Sequence, residues 1–394
     1  MKRAFACLLI AVTLHPIMVK SAHAAPTQRG FQVPLNAITS DAVNDWVDNW
    51  KLNIIRVQIG DNSSMDGVVG ADYEALMEKQ FTILDQKLPL LQARGLKMIF
   101  CLSSPPGGFE LREAPSHFLM FSRPALQEEF IAMWRTIVQR YGSSPSIEAF
   151  DLSNEPAQRK GALAAGARSW ETLAIDTIAA IRETHPTVPI IVAAIYGDPS
   201  KLKALRVVAD PNVSYAYNPY IWSKYQGQGD VSAPFSRSRP SDVTILASIR
   251  RRVGSFFMKS WNLVESKQLP ASAYPPKVVV AEAAVSGCAP EGGAFMNGLL
   301  TALETDDSAS SIQARNRILA RWRRKRLRNR RLRKPIFTVE DFYRDVAHAG
   351  YTIHAFGEAQ IWDPRFVCNA EGQLSPSPVE TDRALTMKGF FGLN

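Results

Sequence analysis

The sequence predicts an α/β fold, a (β/α)8 (TIM) barrel built as a single domain with loop insertions, and three observations predict it. Between residues 30 and 365, amphipathic helical stretches alternate with short apolar runs, each run followed by a loop rich in Gly, Pro or Ser. Eight such runs can be counted; alternation of this kind makes parallel strands with crossover helices, and eight of them close on themselves. No GxGxxG turn follows any strand, which argues against the competing doubly wound open sheet.

Phe31 to Leu35 opens the series as a strand, with helical spacing over Asp41 to Trp50. Asn53 to Ile59 is the second strand and contains Arg56. Tyr73 to Arg94 is a long amphipathic helix stopped by Gly95, and Lys97 to Leu102 follows as a strand. Arg123 to Tyr141, with Pro124 near its start, is the next helix, before the strand Ile147 to Leu152. Ser169 to Thr184 leads into Ile190 to Ile195, and Val213 to Tyr217 is a weaker strand. Val278 to Ala281, rich in β-branched residues, reads as a strand buried on both faces. Helix Thr338 to Ala349, with Gly350 as its stop, leads to the last strand, Tyr351 to Phe356.

The start of the chain reads as an export signal. Lys2-Arg3 precedes the apolar stretch Ala4 to Val12, and Ala22-His23-Ala24 matches a small-x-small cleavage site, so residues 1–24 are expected to be removed. No later segment is long and apolar enough for a membrane helix, so no transmembrane anchor is expected after cleavage, and the location is periplasmic or secreted. The barrel is assigned to 30–365 and a C-terminal extension to 366–394. Cys7 leaves with the signal and Cys101 lies in an apolar strand as a small core residue. Cys288 and Cys368 both follow strands, and an oxidising compartment permits them to pair. No CxxC or Cys/His spacing suggests zinc.

The formal net charge is +9. Losing Lys2, Arg3 and Lys20 with the signal leaves +6, and the 12 Lys and Arg between Arg315 and Lys334, a run without a single acid, account for more than all of it. This basic insertion, 315–334, also carries Ile318, Leu319, Trp322, Leu327 and Leu332, so it can be a cationic amphipathic helix. Its plainest reading is a barrel helix with a solvated basic face; the functional one is contact with an anionic envelope polymer or lipid surface. Nucleic acid is not the expected partner, since export removes it and no nucleic-acid fold is visible.

Chemistry concentrates at Phe150-Asp151-Leu152-Ser153-Asn154-Glu155-Pro156. An apolar strand runs into an Asn-Glu pair and is stopped by a proline that cannot donate to a ladder and biases the residue before it towards extended geometry. Glu155 is therefore placed at the C-terminal lip of a strand, where the acid could protonate a glycosidic oxygen while Asn154 holds a neighbouring hydroxyl. The strand Val278 to Ala281 delivers a second carboxylate, Glu282. Its bland alternative is a core-edge acid paired with an arginine; two strands that both end in Glu favour the catalytic reading.

These residues resemble glycoside hydrolase family 5, the cellulase-like barrel glycosidases with glutamates on strands four and seven, over roughly residues 30–365. The resemblance implies that Asn154-Glu155-Pro156 carries the acid/base. It makes Glu282, in Ala281-Glu282-Ala283, the nucleophile, and Arg56 the strand-two arginine that supports it. Tyr215-Ala216-Tyr217-Asn218-Pro219 resembles the family's His-x-Tyr-x-Pro element, with Tyr217 as the tyrosine that bonds the nucleophile and Tyr215 in place of the histidine. Ser103 stands where a third-strand His is usual. Phe356 stands in place of the Trp that floors the sugar site, with Trp362 nearby to take over. The expected activity is cleavage with retention of a β-linked glucan or related β-glycan, an oligo- or polysaccharide, with no metal and no organic cofactor; the alternative is a non-catalytic carbohydrate-binding barrel of the cell envelope. Glu358 and the aromatic loop residues Tyr220, Trp222 and Tyr225 are weaker sugar-contact candidates, and no GxSxG supports a serine triad.

Overall fold

In the computed structural model, residues 30–60, 63–219, 236, 238–270, 273, 276–281, 299, 352–353, 356–358, 366–368 and 374–376 are described. Seven strands follow one another in the sheet: β1 (Gly30–Pro34), β2 (Ile54–Ile59), β3 (Lys97–Leu102), β4 (Ile147–Asp151), β5 (Ile190–Ala193), β6 (Val213–Tyr217) and β7 (Lys277–Val280). Every pairing between neighbours is parallel. Two further pieces complete the ring. β8 (Thr352–Ile353) pairs with β7, and β9 (Phe356–Glu358) pairs with β1. Only residues 354 and 355 separate these two end strands, so the nine-stranded order closes through one stretch of chain acting as the eighth barrel position. This is the (β/α)8 barrel the sequence predicts.

Helices α1 (Ser40–Asp48), α2 (Gly70–Ala93), α3 (Ala125–Tyr141), α4 (Trp170–Arg182) and α5 (Pro240–Glu265) are the described outer helices, and two 3-10 turns, Ile195–Gly197 and Leu202–Ala204, stand between β5 and β6. Local chemistry sets their starts. Thr39 accepts from the Ala42 amide at the head of α1, and Ser169 accepts from the Thr172 amide at the head of α4, each satisfying a backbone donor the helix itself leaves unpaired.

Strand alternation divides the buried residues into two clusters. Ile54, Ile99, Ala149, Ile191, Ala193, Ala216, Val279 and Ala281 form a small apolar group inside the barrel. Their neighbours along the strands, such as Ile55, Val57, Phe100, Phe150, Val192 and Val280, belong to the large core between sheet and helices. Two tryptophans of that core reach back to the sheet. Trp134 on α3 donates to the Leu152 carbonyl, and Trp170 on α4 donates to the Ala193 carbonyl. Both bonds pin strand ends at the C-terminal face, where a barrel assembles its site.

Candidate active site

Arg56 points into the barrel from β2, two residues above Ile54, and is 1% exposed. A guanidinium taken that far from water must be paired. Asp151 of β4, itself fully buried, accepts from its Nη2 at 2.7 Å and from its Nε at 3.1 Å. Gln32 of β1 accepts from Nη1 through its side-chain oxygen. The Nη2 also donates to Asn154 Oδ1 at 3.0 Å. Because a guanidinium only donates, this bond fixes the Asn154 amide with its oxygen towards Arg56 and leaves its NH2 donors to face elsewhere, the orientation needed to hold a hydroxyl.

One residue on, Glu155 is partly exposed and takes φ 41°, not the extended geometry its proline predicts. Left-handed backbone in a non-glycine residue is strained and persists where surroundings over-determine it. Here the surroundings are identifiable. Glu155 Oε1 accepts from Asn218 Nδ2 at 2.7 Å. Gly197, at φ +61°, lies so close that a Cβ there would fall 2.5 Å from the same oxygen and 2.7 Å from Asn218 Nδ2. Tyr196 precedes it, also left-handed at φ 56°, and its amide donates to the Pro156 carbonyl. Its hydroxyl donates to Ser116 O at 2.9 Å, and burial raises the pKa of that hydroxyl.

The register of β6 corrects one expectation, that Tyr215 stands in the sugar site; Glu282, the partner expected for Tyr217, lies outside the described residues. Ala216 belongs to the inner cluster, so Asn218, two residues on, continues the inner face, whereas Tyr215 and Tyr217 lie in the core turned to the helices. Tyr215 packs its ring on Phe256 of α5 at 5.1 Å, and its hydroxyl bonds the Val208 amide and the Arg206 carbonyl. Burial pushes that hydroxyl's pKa far up. Tyr215 is therefore a packing residue, and the residue of this segment that reaches Glu155 is Asn218. The resemblance to the His-x-Tyr-x-Pro element carried no information on facing: the strand turns Tyr215 outward and Ala216 inward. Asp151, Gln32 and Gly197 were also missed as site residues; Asp151 stands two residues above Ala149 on the inner face, at the strand exit that carries Glu155.

Ser103, following β3, is 6% exposed, and its Oγ finds no hydrogen-bond partner among the described residues; neither does the fully buried Ser153 Oγ. Cys101 is buried in β3. The β1 residue Phe31 pairs with Phe356 and Gln32 with Glu358, which places the backbone of both eighth-strand candidates beside β1. Cys368 lies in a short antiparallel pairing of Phe366–Cys368 with Leu374–Pro376. Glu282, Trp362, Cys288, the basic insertion 315–334, and Tyr220, Trp222 and Tyr225 lie outside the described residues. No described helix is long and apolar enough to cross a membrane.

A parallel eight-position barrel with a carboxylic acid, an amide and a buried arginine gathered at its C-terminal mouth defines the class of barrel enzymes whose site is built from strand ends. The family is then given directly: residues 20–256 match the cellulase family (glycosyl hydrolase family 5), and the chain belongs to it. Glu155 lies within the matched stretch and Glu282 beyond it. Among curated relatives, Endoglucanase C of Acetivibrio thermocellus is 25% identical over 160 residues, 40% of this chain and 44% of that protein. Endoglucanase B of the same organism is 30% identical over 112 residues, 26% of this chain and 19% of that protein. The chain thus matches less than half the length of these relatives. Among solved structures, Pseudomonas stutzeri endoglucanase Cel5A overlaps 71% of this chain and 82% of its own, with 17% identity and a TM-score of 0.49.

Proposed function

We propose that this protein is a retaining glycosidase of β-linked glucan or a related β-glycan, with Glu155 as acid/base and Glu282 as nucleophile. The observation that carries the reading is the Glu155 carboxylate at the exit of β4, held by Asn218 and set beside Asn154, whose amide the buried Arg56 orients. Family membership supports it, as do relatives named as endoglucanases. Glu155, protonated, gives its proton to the leaving glycosidic oxygen while Glu282 attacks the anomeric carbon. Once that carboxylate is esterified, Glu155 takes a proton from the water that releases the sugar. Retention needs the two carboxyls about 5–5.5 Å apart. Asn154 holds a sugar hydroxyl through its NH2. Export rests on the basic, apolar and small-residue pattern of residues 1–24.

The test is hydrolysis of β-1,4-gluco-oligosaccharides followed by NMR of the first-formed anomer. The β-anomer is expected, with turnover falling by about 10²–10⁴-fold in Glu155→Gln and at least as far in Glu282→Gln. First release of the α-anomer would refute retention, and full activity in either variant would refute its role.

A further inference from the structure

The turn after β5 and the end of β6 are built around one oxygen of Glu155. Ala194 donates to the Ala216 carbonyl and Asn218 donates through its own amide to the Gly197 carbonyl at 2.8 Å, so the two strand exits are stitched together. The Tyr196 amide ties the same turn to Pro156, directly after the acid. Only glycine fits at 197, because any Cβ would collide with Glu155 Oε1 and with Asn218 at once. Three exits, those of β4, β5 and β6, therefore converge on Oε1, and among the described residues the Asn218 side-chain amide donates to it at 2.7 Å. Two consecutive left-handed residues, Tyr196 and Gly197, are the cost of that convergence.

We propose that Asn218 is a positioning residue that makes Oε1 the acceptor oxygen of Glu155 and so assigns the transferable proton to Oε2. This rests on the acid/base reading of Glu155. An amide NH2 can only donate, so the oxygen it addresses is the carbonyl-like or anionic one, and in the neutral acid the proton resides on the other. The bond also favours the ionised carboxyl over the neutral one. Asparagine does this without a titration of its own, so this contact adds no second titrating group to proton donation by Glu155.

The experiment compares Asn218→Ala and the near-isosteric Asn218→Asp with wild type on aryl β-glycosides of graded leaving-group acidity. Glu155→Ala is the control and circular dichroism the check on folding. A 2,4-dinitrophenyl leaving group departs without a proton, whereas an alcohol does not. Asn218→Ala should lose about 10- to 100-fold on a poor leaving group, a part of what general acid catalysis supplies, and little on the dinitrophenyl substrate. The alkaline limb of its kcat/KM profile should move to higher pH, because a donor to the ionised form is gone. In Asn218→Asp it should move further, because a second carboxylate opposes ionisation. Equal losses on both substrates with an unmoved alkaline limb would overturn the proposal and leave Asn218 merely structural. If Glu155→Ala itself showed no dependence on leaving group, the acid/base assignment would fail instead, a different outcome.

Discussion

Ile54 and Arg56 are successive inward residues of β2, as Ala149 and Asp151 are of β4, and Ala216 and Asn218 at the end of β6. The lower member of each pair lies in the apolar cluster that plugs the barrel. The upper member is polar and engaged in the mouth. The two layers are about 7 Å apart along each strand, two residues' rise. The difference teaches how this barrel makes a site: one step of the strand alternation converts a packing position into a chemical one. The dry lower layer also sets the conditions of the upper. Arg56 and Asp151, at 1% and 0% exposure, face apolar side chains below, so their charges are satisfied by each other and by Gln32 and Asn154.

The comparison breaks most visibly at Asp151. Asp151→Ala removes the carboxylate that takes two of the guanidinium's bonds and leaves a cation in a low-dielectric setting. A loss of about 3–5 kcal/mol is expected, the usual penalty for breaking a buried pair from one side. Denaturant unfolding measures it. A loss under about 1 kcal/mol, the range of exposed ion pairs, would mean that the mouth layer is wetter than its burial implies. The double variant Arg56→Met with Asp151→Leu should recover most of the stability while activity stays lost, which separates the energetic role of the pair from its functional one.

That contrast between layers also explains what could be read in advance. Where composition and periodicity agree, as in the β-branched run of β7 or the helix of Tyr73 to Arg94, the element was plain in the sequence. Glu155 was legible because proline and an Asn-Glu pair mark a strand exit without any knowledge of facing. At β6 the signal failed. The family resemblance puts Tyr215 in the sugar site, but which face it occupies depends on the register with β5 and β7, in which Ala216 stands opposite Ala193 and Val279. One residue of register exchanges every side chain between mouth and core. The left-handed turn at Tyr196 and Gly197 was hidden for a related reason: its geometry is imposed by contacts with Glu155 and Asn218, remote in sequence.

The lower layer gives a smaller effect of opposite character. Ile99→Val deletes one methylene from the inner cluster, where Ile99 is fully buried. It should cost about 0.5–1.5 kcal/mol of stability and leave kcat unchanged, since the substitution removes no hydrogen-bonding group although Ile99 stands in register beside Arg56. Thermal unfolding and steady-state kinetics on the same preparation check both halves. A drop in kcat larger than the stability change would show that the plug transmits strain to the mouth, and the separation of layers would be weaker than their chemistry suggests.

An effect of similar size, confined to acid pH, concerns the rim, where His117 joins the hairpin of Phe109–Leu111 and His117–Phe118 to the loop after Glu155. The ring is 1% exposed, and its Nδ1 accepts from the Arg159 amide at 3.1 Å, so the bond requires an unprotonated Nδ1. Burial lowers the pKa of His117; Glu110, whose carboxylate is 3.9 Å from Nε2, raises it, and Arg159 lowers it further. A histidine with a depressed folded-state pKa contributes stability that is present above its unfolded value of about 6.5. That contribution is lost as pH falls through the folded value. Protonation would turn the Nδ1 acceptor into a donor facing another donor, so the loss should be of the order of one hydrogen bond, about 0.5–1.5 kcal/mol. His117→Asn, which can keep an acceptor for the Arg159 amide without titrating, should flatten this acid-side dependence. Unfolding of both proteins across the acid range measures it. If the two curves fall in parallel, the acid sensitivity of the rim lies elsewhere, and the Nδ1 bond does not hold the loop that carries Glu155.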